Sequence, residues 1–477
     1  MSAPSRKENS VLENPRHLSV LLLLAWPAIL EQLLLTLVNY VDTAMVGALG
    51  ASATAAISIN NSTIWLVNGI LQMLSVGYSV QVAHSIGAGQ TEHTCRVIRQ
   101  AVTAVAAGGL LLFAVGGLLA PHLPAWMGAE PEVLPGARAY LRIIFLALPF
   151  QTASAMFSAV LRCMGDTKTP LLFNTAGNLL NVALNFLFIY PTRTITLFGS
   201  CFTMWGADWG VAGAALATAI STALVGTALL GCVFLREGDY RIRLRESFRP
   251  ERGIIRRALR IGLPVGLERA TISCGQLVMT KVVASMGTVA LAANHVAVTA
   301  EGLSYLPAYG ISYASTTLVG QCMGARRQDL AYRYGKLSGK VGFAFSTALG
   351  SLLFLLAPAL ASLFSPDPAV ISLGADMLRI VALAQPLFGV SIVLSGALRG
   401  AEDSKYPFLV GLWCMWGIRV VLAPIFAYVL NMGLSSVWIA MAIDLCARGV
   451  LCWRRFSGKR WIKNVGGAGP EEAPAKL

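Results

Sequence analysis

The sequence predicts an all-α polytopic membrane protein of twelve transmembrane helices in two parallel six-helix repeats, and three observations predict it. First, 56% of the 477 residues are hydrophobic and only 13% are charged, which excludes an ordinary soluble domain. Second, the windows 101–120, 210–235 and 341–366 hold no Asp, Glu, Lys or Arg. A helix needs about 20 apolar residues to cross the hydrocarbon core, and only helices or closed barrels satisfy their backbone there. These runs are too long for barrel strands. Third, the second half repeats the first at an offset of 237: Pro27 and Glu31 return as Pro264 and Glu268, Ala55-Ala56 as Ala292-Ala293, and Gly87-Ala88 as Gly324-Ala325. The stretch Leu161-Arg162 to Pro170 returns as Leu398-Arg399 to Pro407.

Taken in order, the first span, 18–46, follows a basic tail and carries Pro27, Glu31 and Asp42. Next come 57–84, the charge-free 100–120, and 140–160, which ends at the Leu161-Arg162 loop. Spans five and six, 170–190 and 210–235, flank a loop at 191–209 that is longer than its counterpart after Tyr428 and shifts the register to about 223. The second set is 261–285, 293–319, 341–363, 377–397, 407–430 and 437–453. Six spans per repeat is even, so both halves enter the membrane from one side, related by an axis along its normal. The organisation is a tail at 1–17, a lobe at 18–235, a linker at 236–260, a lobe at 261–453 and a tail at 454–477.

Charge sets the orientation. Lys and Arg crowd the amino terminus (Arg6, Lys7, Arg16), the segments 236–260 and 326–340, and the tail from Arg454 to Lys463; Arg138 and Arg193 are exceptions on the other side. The positive-inside rule makes both termini and the linker cytoplasmic. Contact with anionic headgroups accounts for the net charge of +14, and no nucleic-acid partner is expected. The first apolar stretch is too long, and too acidic at Glu31 and Asp42, for a cleaved signal.

Catalytic and metal chemistry find little support. The nine cysteines form no CxxC pair, and P-loop, GxSxG and HExxH patterns are absent. The five histidines, His17, His84, His93, His122 and His295, show no grouping, which weighs against an intramembrane enzyme.

Ionisable groups inside a bilayer are costly enough to be functional suspects. Here they are Glu31, Asp42, Glu268, Arg269, Lys281, Glu301, Arg419, Asp444 and Arg448. Asp444 and Arg448 read as an ordinary i,i+4 pair. Glu268-Arg269 reads as a local pair or a snorkelling arginine. Lys281 and Glu301, on a helical hairpin, are placed to bond each other or to serve transport.

Asp42 has no basic neighbour in its helix. It sits about 7 Å inside the outer end of the first span, and Asn185 in the fifth lies at about the same depth. Asn181 shares a face with Asn185, and Thr218 in the sixth span falls near it in depth. One carboxylate and three neutral oxygen donors therefore suit a protonated carboxyl in a hydrogen-bond network, or a small hard cation. The alternative is that the Asn and Thr groups join helices together. Glu31 faces the same way as Asp42 about 16 Å away, with Glu268 as its mate across the pseudo-twofold. Those two carboxylates read either as groups that receive a cationic substrate or cap the cavity, or as bonded helix-end groups. Glu31, Glu268, Glu301, Gln276 and Asn39 are the candidates for substrate contact or gating.

The chain resembles the multidrug and toxic compound extrusion (MATE) family over residues 17–455. The resemblance rests on Pro27 to Gly50, ending Asp42-Thr43-Ala44-Met45-Val46-Gly47-Ala48-Leu49-Gly50. It rests also on Gly87-Ala88-Gly89, on Val319-Gly320-Gln321 to Gly324-Ala325, and on the two Leu-Arg-to-Pro loops. It implies export of amphipathic, often cationic compounds in exchange for H+ or Na+, with no other cofactor. It also implies that Asp42, Asn181, Asn185 and Thr218 match an amino-terminal cation site. Asn185 departs from the pattern, since some members carry Asp there. Met279 stands at the repeat position of Asp42, and Phe388 replaces an acidic residue of some Na+-coupled members. With one carboxylate, protons are expected to drive exchange rather than Na+, displacing substrate by competition. A lipid-linked-precursor flippase is the alternative, weakened by the few intramembrane cations. The expected setting is a bacterial inner membrane, with the chain a monomer.

Overall fold

The structure, a computed structural model, describes residues 16–197, 200–236, 238–242 and 247–462. Arg6, Lys7, Lys463, most of both tails, and residues 237 and 243–246 of the linker lie outside the described residues.

Six helical spans form each lobe. They are α1 (His17–Gly47), α2 (Asn61–Gly87, led in by Ala51–Ser58), α3 (Thr91–Leu119), α4 (Leu134–Leu146 and Leu148–Cys163), α5 (Lys168–Phe188) and α6 (Gly210–Leu235). The second lobe holds α7 (Arg252–Ala284), α8 (Thr288–Gly324), α9 (Gln328–Leu355), α10 (Pro368–Gly400), α11 (Lys405–Val429) and α12 (Ser435–Ser457). Among the described residues nine helices are long and apolar enough to cross a membrane, and bent α4 makes ten. The other two, α7 and α8, are 33 and 37 residues long. At 1.5 Å per residue they span roughly 50 Å or more, well beyond the hydrocarbon core; Glu268, Arg269, Lys281 and Glu301 dilute their hydropathy.

The structure departs from the sequence expectations in four places. The 191–209 loop is an antiparallel hairpin, β1 (Pro191–Leu197) with β2 (Ser200–Ala207), so the chain is not wholly helical. The run Thr192 to Thr196 is rich in β-branched residues, which favour an extended backbone. The fourth span breaks by 52° at Ala147, because Pro149 lacks the N–H that would bond the preceding turn. The linker is shorter than 236–260, since α7 starts at Arg252; arginine is a good helix former and carries the helix into the headgroup region. Finally, α11 passes through π-helical turns at Trp413–Arg419 and Ile425–Val429, on either side of Pro424.

Packing differs between the lobes. In α10, 67% of the apolar window is buried, against 17% in α3 and α5. One apolar cluster in the second lobe takes in Val20, Leu21, Leu24 and Ala25 of α1 beside Ile311, Leu318, Val393 and Leu394. The start of α1 is thus packed into the opposite lobe, which ties the lobes together at the face bearing the termini.

Candidate functional site

The four residues singled out in the first lobe meet. Asn185 Nδ2 donates to Asp42 Oδ1 at 2.6 Å and to Asn181 Oδ1 at 3.2 Å, and Asn181 Nδ2 lies 3.2 Å from Thr218 Oγ1. With the Asn181 amide turned over, its nitrogen stands 2.9 and 3.1 Å from the two Asp42 oxygens, and its oxygen accepts from Thr218 Oγ1 at 3.2 Å. That orientation sets a donor against the carboxylate, as the electrostatics favour. Both asparagines are buried, and Asn185 Oδ1 is buried with no hydrogen-bond partner. An orphaned acceptor beside a carboxylate suits a positively charged guest or a proton donor. Tyr140 of α4, which no depth along α1, α5 or α6 announces, stands near enough to feel the Asp42 charge. Asn39 is exposed, and its carbonyl accepts from Thr43 Oγ1 at 2.8 Å.

Glu31 and Glu268 are bonded, each to the arginine of its own repeat loop. Arg162 Nη1 reaches both Glu31 oxygens at 3.0 Å, and Arg399 Nη2 donates to Glu268 Oε2 at 2.7 Å. Each arginine follows its acid by 131 residues, so the pair is itself repeated. Glu268 is therefore not paired with Arg269, as the adjacent spacing suggested; Arg269 reaches Gln72 Oε1 at 3.1 Å and Tyr309. Neighbours along a helix diverge by about 100° and cannot face each other. Glu31 is held more firmly: Asn174 Nδ2 donates to it at 2.9 Å, and its pair is 9–11% exposed against 14–17% for the other. Glu31→Gln is accordingly expected to cost about 3 kcal/mol by leaving Arg162 buried and unpaired, and Glu268→Gln less. Melting of the two purified variants checks the order; equal or inverted losses would refute it.

In the second lobe one expectation is corrected and another is extended. Lys281 is exposed, and Glu301 bonds Gln385 Nε2 at 3.2 Å rather than Lys281. Asp444 does pair with Arg448, at 2.6 Å, but it also pairs with Arg419 of α11 at 2.7 Å. Met279 is buried, and Phe388 packs edge-on against Tyr305 with ring centres 5.6 Å apart. Gln276 lines a crevice with Met279 and Arg419.

The lobes close on each other at the ends of α2, α4, α8 and α10. Gln321 Nε2 donates to the Cys163 carbonyl at 2.9 Å, and His84 Nε2 lies 2.7 Å from the Gly400 carbonyl. At the offset of 237, Gln321 is the mate of His84 and Gly400 that of Cys163, so the two bonds are reciprocal. Arg162 also stacks on Tyr313 of α8 at 4.7 Å.

The family model described as MatE matches residues 27–187 and 264–425. The chain belongs to the MatE family. The two matched stretches start at Pro27 and Pro264, which are themselves repeat mates, so each lobe carries the MatE pattern separately. Among relatives, a probable multidrug resistance protein NorM of Thermotoga maritima is 28% identical over 95% of both chains. Multidrug resistance protein PmpM of Pseudomonas aeruginosa is 27% identical over 97% of this chain and 96% of its own. A MATE structure in complex with MaL6 superimposes with a TM-score of 0.86 at 24% identity, covering 96% of this chain and all of that one. Such structures share the MatE fold of twelve helices in two repeats, and the chain is a multi-pass membrane protein.

Proposed function

We propose that this MatE protein is a secondary antiporter that exports amphipathic, largely cationic small molecules in exchange for protons. The observation that carries the reading is Asp42 bonded to Asn185 beside Asn181 and Thr218, a single carboxylate among neutral groups within the bilayer. One buried carboxylate takes a proton by neutralisation, whereas Na+ needs several oxygen ligands and charge balance. Proton uptake at Asp42 rearranges the first lobe and weakens its hold on substrate, and the ion acts only through its different affinity for the two states. Tyr305, Tyr309 and Phe388, clustered between α8 and α10, supply the aromatic faces on which an apolar cation stacks. The printed names of the relatives, multidrug resistance proteins, support this substrate class. The protein works as a monomer in the inner membrane with both termini cytoplasmic, the orientation that Arg252, Arg256, Arg257 and Arg260 favour at the start of α7.

The test is transport by everted vesicles under separately imposed gradients. Efflux driven by a pH gradient in nominally Na+-free buffer is expected, with a carboxy-terminal tag open to protease in the same preparation. Activity that appears only when Na+ is added would overturn proton coupling, and a protected tag would overturn the orientation.

A further inference from the structure

A crevice in the second lobe holds the place that the Asp42 cluster holds in the first, with the charge reversed. Gln276, Met279, Thr280, Asn294, Arg419 and Trp438 line it, and no Asp or Glu does. At the offset of 237, Met279 is the mate of Asp42 and Gln276 that of Asn39, while Arg419 directly follows Ile418, the mate of Asn181. Where one lobe offers a carboxylate, the other offers a guanidinium.

Arg419 is incompletely satisfied. Its side chain is 9% exposed, Nη2 pairs with Asp444 at 2.7 Å, and Nε is buried with no acceptor. Arg448 takes the same carboxylate at 2.6 and 3.1 Å, so two guanidinium groups share Asp444. The other nearby acid, Glu301, feels the Arg419 charge but bonds Gln385 instead. A second donor is oriented beside it: Trp438 Nε1 donates to Asn294 Oδ1 at 3.0 Å, which fixes the amide and leaves its NH2 for a ligand. Arg419 closes the π-helical turn Trp413–Arg419, the kind of local widening that often marks a functional position.

We propose that this crevice is an anion subsite that receives the carboxylate of a zwitterionic or acidic amphiphile. The proposal rests on the export of amphiphiles argued above and adds that the two lobes recognise opposite charges. A planar carboxylate fits a guanidinium fork with a neighbouring amide donor. The crevice opens at its edge beside exposed Thr280 and Val298, where the rest of the molecule lies.

The test is binding of two dyes to the purified full chain in detergent: rhodamine 110, which has a free carboxylate, and rhodamine 123, its methyl ester. The free acid is expected to bind roughly 10-fold tighter, the worth of one charge-assisted hydrogen bond. Arg419→Gln should erase that preference. Asn294→Asp keeps the acceptor for Trp438 and places a negative charge in the crevice, so it should invert the preference, the cationic ester then binding tighter than the acid. Equal affinities in the wild type, or a preference for the acid that survives in folded Asn294→Asp, would overturn the subsite. The binding comparison needs no gradient. A failure of vesicle transport would therefore count against antiport alone, and a missing acid preference against the subsite alone.

Discussion

Asp42→Asn is expected to abolish ion-driven efflux while leaving the protein folded and in the membrane. Asparagine is nearly isosteric, and its side-chain carbonyl still accepts from Asn185 Nδ2, which lies 2.6 Å from Asp42 Oδ1. The lost property is the ability to change charge. An ion shifts the equilibrium between the two states only through a difference in affinity, and among the four clustered residues only Asp42 is ionisable. Transport under a pH gradient should fall at least 10-fold, to the level of vesicles without the protein. Thr218→Ala removes one neutral hydrogen bond to Asn181, worth about 1 kcal/mol, and should slow transport several-fold without ending it; Asn181→Ala, which also strips a donor from the Asp42 carboxylate, should slow it more. Wild-type efflux by a folded Asp42→Asn variant would sink the coupling assignment.

How much of this was legible in the sequence depends on whether a feature is local. The spans and their repeat follow from composition and offset. The Asp42, Asn181, Asn185 and Thr218 cluster follows from counting depth along near-straight helices with a fixed rise. Partners on other helices did not follow. Adjacency makes Glu268-Arg269 read as a local pair or a snorkelling arginine, although the acid and arginine pairs Glu31 with Arg162 and Glu268 with Arg399 recur at the same offset. Asp444 was read with its i,i+4 neighbour alone, because Arg419 comes from a different helix and is positioned by a π-helical turn that no periodicity announces. The hairpin at 191–207 was missed for another reason: in a chain this apolar, a short run of alternating threonines reads as loop. His84 has no grouping with the other histidines, yet its repeat mate is Gln321, and both reach a carbonyl of the opposite lobe.

That reciprocal seam carries the second large expected effect. Gly87→Ala and Gly324→Ala should each open the face that bears the termini and cut transport. A Cβ at Gly87 would run into the Gln321 carbonyl, and one at Gly324 into the His84 carbonyl, both closer than real contacts allow. The obstacle in each case is backbone, which cannot swing aside as a flexible side chain can. Both glycines lie within a turn of the residues that bond across the lobes, His84 with Gly400 and Gln321 with Cys163, so parting α2 from α8 also stretches those bonds. Overpacking of this kind costs roughly 1–3 kcal/mol, which as a bias between two states is about 5–150-fold. Cys163 reports it directly, being 4% exposed behind the seam. Its alkylation, followed by mass spectrometry, should accelerate about 10-fold in either variant, within that range, while efflux falls in parallel. The two glycines press on one interface from opposite sides, so their effects should be coupled and the double variant less than additive. Unchanged Cys163 reactivity in variants that fold would mean that the helices part without bias, and that the closed seam contributes nothing to the balance between states.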